Sequence, residues 1–146
     1  MLRSDAEKNG SLYEYYCKIE DNFEKKWAKK EFYSFISNQD NIFILSDPKP
    51  VGYLMAKVTT DEIEIISILI DKKFRKIGIG KSLLNKLLSI ALKKKIKNIF
   101  LEVSVENQIA INLYKKFNFI KVGKRENYYL QHGKYIDADI MKLVLF

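Results

Sequence analysis

Between Ile63 and Ala91 the chain changes its period once, and that change restricts the fold more than any other feature. Ile63 to Ile70 is a strongly β-branched run of the kind that packs well in a strand. After Asp71-Lys72-Lys73-Phe74 comes Arg75-Lys76-Ile77-Gly78-Ile79-Gly80-Lys81-Ser82, and then Leu83, Leu84, Leu87, Leu88 and Ala91 recur at helical spacing. A strand therefore feeds a helix through a turn that carries two glycines. Glycine lets the backbone turn sharply and bring its N–H groups close to a ligand. The helix start adds unpaired N–H groups and a partial positive charge, a combination suited to phosphate. Two phosphate-binding patterns fail on spacing. There is no Gly-x-x-x-x-Gly-Lys-Ser/Thr, and Leu83 stands where Gly-x-Gly-x-x-Gly needs its third glycine.

The rest of the chain supplies a sheet for this unit. Leu12 to Ile19 and Ala28 to Ile36 read as short amphipathic helices. Asn41 to Ser46 and Val51 to Thr59 read as strands joined by Asp47-Pro48-Lys49-Pro50, and Asp61-Glu62 makes the next turn, so an antiparallel meander is expected. Asn98 should end the long helix, with Ile99 to Val103 as a strand. Asn107 can cap a helix running to about Phe117, with Ile109, Leu113 and Phe117 on one face. Phe119 to Lys124 and Tyr135 to Leu145 read as a last strand pair around the loop Gln131-His132-Gly133-Lys134. The expectation is one domain over residues 1–146, an α/β (α+β) fold with a single, mostly antiparallel central sheet flanked by helices. A chain of 146 residues is long enough to bury a core.

Charge and cysteine content remove some functions. Lys plus Arg number 26 against 18 Asp plus Glu, a net +8, which points to an anionic partner. Only Arg3, Arg75 and Arg125 are arginines, whereas readers of nucleic-acid sequence favour the arginine fork. Together with the crowding of Ile, Asn and Lys, this reads as compositional bias, so no specific nucleic-acid partner is expected. A diffuse positive field still helps to capture a polyanion. Cys17 is the only cysteine, which excludes an intramolecular disulfide and a cysteine-built metal site, and it reads as a packed thiol. No apolar run approaches the roughly 20 residues that span a bilayer, so no membrane partner is expected. Met1 to Glu7 is charged, so a cytoplasmic location is expected.

Several motifs together resemble one family. Arg/Gln-x-x-Gly-x-Gly/Ala after a β-branched strand is similar to the acetyl-CoA pyrophosphate loop of GNAT acetyltransferases, matched by Arg75, Gly78 and Gly80. Leu101-Glu102-Val103, Asn107 five residues past that Glu, and Leu113-Tyr114 beyond it resemble the ribosomal-protein alanine acetyltransferases within that family, as does Asn127-Tyr128-Tyr129 with Asp139-Ile140-Met141. The resemblance covers about Ile63 to Leu143. One residue departs from it: Asn118 stands where the family has Gly before Phe119, and asparagine tolerates the left-handed cap better than most residues.

The resemblance implies an acetyl-CoA-dependent N-acetyltransferase that modifies the N-terminal α-amine, on alanine, of a ribosomal protein, by direct transfer in a ternary complex. It implies that Ile68, Leu69 and Ile70 pair with the pantetheine arm as an added strand would, with an N–H near Leu69 polarising the thioester oxygen. Lys76, Ile77, Gly78, Ile79, Gly80 and Lys81 would hold the pyrophosphate, with Arg75 at its edge, and Asn107 would touch the cofactor arm. Glu102 read alone is a base or one half of a cross-strand ion pair; the resemblance implies the base. Tyr114 would be the general acid, against the alternative of a structural tyrosine. Trp27, Tyr128 and Tyr129 would line the acceptor groove, the last two being equally readable as an aromatic strand edge. His132 reads as polar loop filler, and no metal is implied. The protein is expected to be a monomer or weak dimer. Two other readings stay open: a GNAT enzyme for a lysine side chain or polyamine, and a basic RNA- or ribosome-binding module without catalysis.

Overall fold

The computed structural model describes residues 12–20 and 27–146; the charged start, Met1 to Glu7, lies outside them. Four α-helices and six strands are seen there. They are α1 (Leu12–Glu20), α2 (Lys29–Ser37), β1 (Asn41–Leu45), β2 (Gly52–Thr59), β3 (Glu62–Ile70), α3 (Ile79–Lys93), β4 (Asn98–Ser104), α4 (Gln108–Lys116), β5 (Ile120–Gln131) and β6 (Lys134–Val144). The strands form one sheet in the order β1-β2-β3-β4-β6-β5. Every neighbouring pair is antiparallel except β3 and β4, which α3 joins as a crossover, so the expected mixed fold is the one observed.

Alternation of side chains divides the sheet into two faces. On one, Leu83, Leu84, Leu87 and Ala91 of α3 pack with Ile111 and Tyr114 of α4 against Ile44, Leu54, Ile63, Ile65, Leu101, Val103 and Met141. Full burial of each such aliphatic side chain stabilises the fold by roughly 1.5–3 kcal/mol. On the other, α1 and α2 press an aromatic cluster of Tyr16, Phe32, Phe35, Phe43 and Tyr53 onto β1 and β2. The α1–α2 layer thus covers the β1 side of this face, where Cys17 packs half-buried, as expected.

Three boundaries and one helix face differ from the sequence reading. Helix α3 ends at Lys93, not at Asn98, which opens β4. Lys95 takes φ 57° and the Ile96 N–H closes back onto the Ala91 carbonyl at 2.9 Å, a left-handed cap formed by a lysine. The β2–β3 turn is Thr60-Asp61, because Glu62 already pairs with Thr59. Ile109 is exposed, and the buried face of α4 is Ile111 and Tyr114. Strand β5 runs on to Gln131, through two irregularities, into a two-residue turn in which His132 (φ 51°) and Gly133 (φ 73°) are both left-handed. Asn118 takes φ 69°, as expected of a left-handed cap.

Candidate active site

A bulge creates the site. Met55 pairs with Ser67, yet Ala56 pairs with Ile65, so Ile66 is one residue too many for the β2–β3 ladder. Past it, β3 swings away from β4. The β3–β4 ladder ends at Ile65–Leu101, while β3 follows β2 to Ile70 and β4 follows β6 to Ser104. The central strands therefore part, and Ile66 to Ile70 turn main-chain groups toward a gap instead of a strand. Backbone donors and acceptors require partners. An extended amide-bearing chain laid beside β3 would supply them, so this edge fits the pantetheine arm expected at Ile68, Leu69 and Ile70.

The glycine turn stands at the same end. Asp71 caps a 3₁₀ turn by accepting the Lys73 N–H at 3.0 Å, and Arg75 donates Nε to the Ile70 carbonyl at 3.0 Å. The fork of Arg75 thus braces the strand end. Lys76 (φ 65°) and Gly78 (φ 92°) are left-handed, Gly78 is the N-cap of α3, and Ile77 is exposed. Nothing lies within 4 Å of where a Gly78 Cβ would stand, so the loop faces open space. At Gly80 a Cβ would meet Leu113 Cδ2 at 3.2 Å and Ile70 Cδ1 at 3.4 Å, so glycine lets the first turn of α3 settle onto the gap. The first intrahelical bond is Ser82 N–H to the Gly78 carbonyl at 3.0 Å, which leaves the Ile79, Gly80 and Lys81 N–H groups ahead of it. A groove of about 350 Å³ continues along Gly78, Lys81, Ser82, Asn85, Lys86 and Ser89. N–H groups, a helix dipole and two lysines suit a polyanion.

Across the gap, β4, α4 and the β5–β6 hairpin contribute side chains. Glu102 lies on the opposite face from Leu101 and Val103, and its side chain is 22% exposed. Arg125 Nη1 lies 3.3 Å from Glu102 Oε1, so the cross-strand ion pair is present. The guanidinium also stacks 5.0 Å from the centre of the Tyr128 ring. The neighbouring Glu102 carboxylate raises the Tyr128 phenol above its ordinary value. Tyr129 is half-buried, with its hydroxyl 3.5 Å from the Glu102 carbonyl; burial pushes it up to about 12. Tyr114 is buried in the α3–α4 core, its ring 5.8 Å from that of Phe119. Burial, and then the neighbouring Tyr129, raise its phenol well above the usual tyrosine range. Glu102 and Tyr114 thus approach from opposite faces of the sheet, and Tyr129 neighbours both. Beside Glu102, an open hollow of about 370 Å³ is floored by Phe100 and Ile140 and edged by Glu62, Glu64 and Lys57.

Asn107 is the N-cap of α4, its Oδ1 accepting the Ala110 N–H at 3.2 Å. The Trp27 ring packs edge-on against Phe35 at 5.3 Å, its backbone N–H donates to the Tyr16 hydroxyl at 2.7 Å and its backbone carbonyl accepts from the Tyr13 hydroxyl at 2.8 Å. These contacts join α1 to α2 and leave Trp27 outside the Glu102 cluster. The residue that sequence reasoning missed is Arg125; its rarity in a lysine-rich chain was the available signal. His132 sits in the hairpin turn, and among the described residues no three His, Cys, Asp or Glu side chains are grouped as a metal site requires.

Comparison with known proteins agrees with this geometry. The model of the Acetyltransferase (GNAT) family matches residues 10–119. The [ribosomal protein bS18]-alanine N-acetyltransferase of Escherichia coli (strain K12) is 31% identical over 121 residues, 80% of each chain. The crystal structure of the E. coli ribosomal-protein-S18-alanine N-acetyltransferase superposes with a TM-score of 0.82 at 27% identity, covering 92% of this chain and 88% of that one. Arabidopsis thaliana NAA60 in complex with acetyl-CoA shares the fold, with a TM-score of 0.76 at 19% identity over 99% and 96% of the two chains.

Proposed function

The chain belongs to the GNAT acetyltransferase family, an acetyl-CoA-dependent N-acetyltransferase, and we propose that its acceptor is the N-terminal α-amine, on alanine, of a ribosomal protein. The parted β3 and β4 support this reading, because a helix N-terminus and a strand edge border the gap and, among the described residues, Glu102 and Tyr114 approach it from the two faces of the sheet. The likeness to the E. coli alanine acetyltransferase supports the acceptor.

In this reading the thioester lies beside Ile68 to Ile70, and Lys76 to Lys81 with Arg75 hold the pyrophosphate. Nitrogen attacks the thioester carbon, the C–N bond forms as the C–S bond breaks, and the amine proton passes to Glu102. An α-amine of pKa about 8 is already neutral to roughly a tenth at pH 7, while a lysine amine at about 10.4 is neutral only a few times in ten thousand. A modest carboxylate base therefore suffices for an N-terminus. The Tyr114 phenol is raised above its ordinary value and stays protonated through the neutral range. A thiolate whose parent thiol has pKa about 8.5 is too weak a base to strip it, so Tyr114 stabilises the departing sulfur by donating a hydrogen bond. Asn107, its Oδ1 engaged in the cap, offers its amide N–H groups to the cofactor arm. Tyr128 and Tyr129 bound the acceptor entrance, and the reaction belongs to the cytoplasm, where ribosomal proteins are made.

Mass spectrometry tests this. A peptide beginning with a free alanine, incubated with enzyme and acetyl-CoA, gains one acetyl group on the α-amine and none when that amine is blocked. Acetylation of lysine or polyamine instead, with the alanine peptide untouched, would move the acceptor to another amine.

A further inference from the structure

The Glu102 cluster contains a cation that neither the glycine turn nor the Glu–Asn–Tyr spacing calls for. We propose that Arg125 is the positioning residue for the base, fixing the Glu102 carboxylate so that its remaining oxygen receives the acceptor's proton; the proposal rests on the reading of Glu102 as that base.

The hairpin is built to deliver this guanidinium. Glu102 pairs with Ile140, and Arg125 pairs with Ala138, so strand β6 separates the two residues. Two interstrand spacings amount to roughly 10 Å. An arginine reaching across a fully buried alanine spans that distance, and its charged group arrives 3.3 Å from the carboxylate. The strand is irregular just here. Arg125 to Tyr129 on β5 oppose only Ala138 to Ile136 on β6, which leaves two extra residues. Asn127 absorbs them at φ 52°, its N–H donating to Asp137 Oδ1 at 2.8 Å, while Asp137 Oδ2 lies 3.0 Å from Lys124 Nζ. The bulge sets Tyr128 against Arg125, ring to guanidinium at 5.0 Å, so the cation is gripped on one side by an aromatic ring and on another by the carboxylate. The Arg125 guanidinium, itself set against the Tyr128 ring, holds one oxygen of the carboxylate and so fixes its rotamer. With Oε1 held by the guanidinium, the proposal gives the proton-accepting role to the other carboxylate oxygen. A pair serving only to staple the hairpin would need neither the bulge nor the aromatic grip.

Double-variant kinetics test this on the full chain with acetyl-CoA and a free-alanine peptide. Arg125→Met lowers kcat on the order of tenfold to a hundredfold, the scale of a misplaced catalytic group, with KM for acetyl-CoA unchanged, and Arg125→Lys restores part of the loss. In a Glu102→Gln background, Arg125→Met produces no further loss, because a residue that acts through Glu102 has nothing left to position. Undiminished kcat in Arg125→Met, or losses that multiply in the double variant, overturn the proposal while leaving Glu102 as the base. Full activity of Glu102→Gln alone overturns the reading of Glu102, and Arg125's role with it. Should Arg125→Met lose its circular-dichroism spectrum, the polar Arg125→Gln carries the same comparison.

Discussion

The two banks of the gap between β3 and β4 are made of different material. The β3–α3 bank is main chain: a strand edge, a left-handed Gly78 and the first N–H groups of a helix, where side chains matter chiefly by being small. The β4–hairpin bank is side chain: Glu102, Arg125, Tyr128 and Tyr129 gathered from strands far apart in sequence, with Tyr114 entering from the other face. Backbone recognition suits a cofactor whose amides and phosphates never vary, and it tolerates exchange of the side chains around it. A proton-transfer site tolerates little, since each group acts through one or two atoms at fixed places. Damage to the first bank should therefore weaken binding, and damage to the second should slow turnover.

The largest effect is expected from the side-chain bank. Glu102→Gln lowers kcat on the order of 10²- to 10⁴-fold, the usual contribution of a positioned base, and isothermal calorimetry with acetyl-CoA finds affinity unchanged. Tyr114→Phe costs on the order of 10²-fold, as loss of one donor to developing charge does, again without loss of cofactor affinity. Equal weakening of binding and turnover in either variant would erase the distinction between the banks. On the main-chain bank, Gly78→Ala places a Cβ on a residue with φ 92°, strain of roughly 1–2 kcal/mol. Acetyl-CoA then binds about tenfold more weakly while kcat at saturation holds. Smaller again is Lys81→Ala, expected to raise KM for acetyl-CoA about two- to threefold at low salt and hardly at all at high salt, as a screened surface charge should.

The hairpin has its own pH limit. The Asn127 N–H, and then Lys124, hold the Asp137 carboxyl below its ordinary value. A depressed folded pKa contributes stability that is present above the unfolded value, about 3.9, and is lost as pH falls through the folded one. The Asn127 amide should therefore stay protected from exchange from pH 7 down to the ordinary aspartate range, and lose protection only as pH falls below that range and Asp137 is protonated in the folded state. In Asp137→Asn that acid transition should vanish; its persistence would mean that another group pins the bulge.

Most of the fold was legible because it is local. The β-branched run Ile63 to Ile70, the helical spacing from Leu83 to Ala91 and the Asn107 cap each follow from contacts within a few residues. The Lys95 cap was not legible, because lysine rarely takes a left-handed φ and nothing local marks it. The long β5 was hidden likewise. Its Arg125-Glu126-Asn127 segment is polar and loses regular register, and it stays a strand because β6 supplies the hydrogen bonds.

By itself the sequence determined the shape of the β3–α3 bank: where a strand would meet a helix, which residues would be glycine, and hence where main-chain N–H groups would gather at a helix start. A backbone site is written in consecutive residues and needs no partner from elsewhere. Only the tertiary structure decided that β3 would leave β4 after the Ile66 bulge, that Trp27 would serve the α1–α2 contact rather than join the Glu102 cluster, and that Arg125 would cross β6 to Glu102. Those outcomes depend on register between strands distant in sequence, and a side chain's neighbour across a sheet is set by that register.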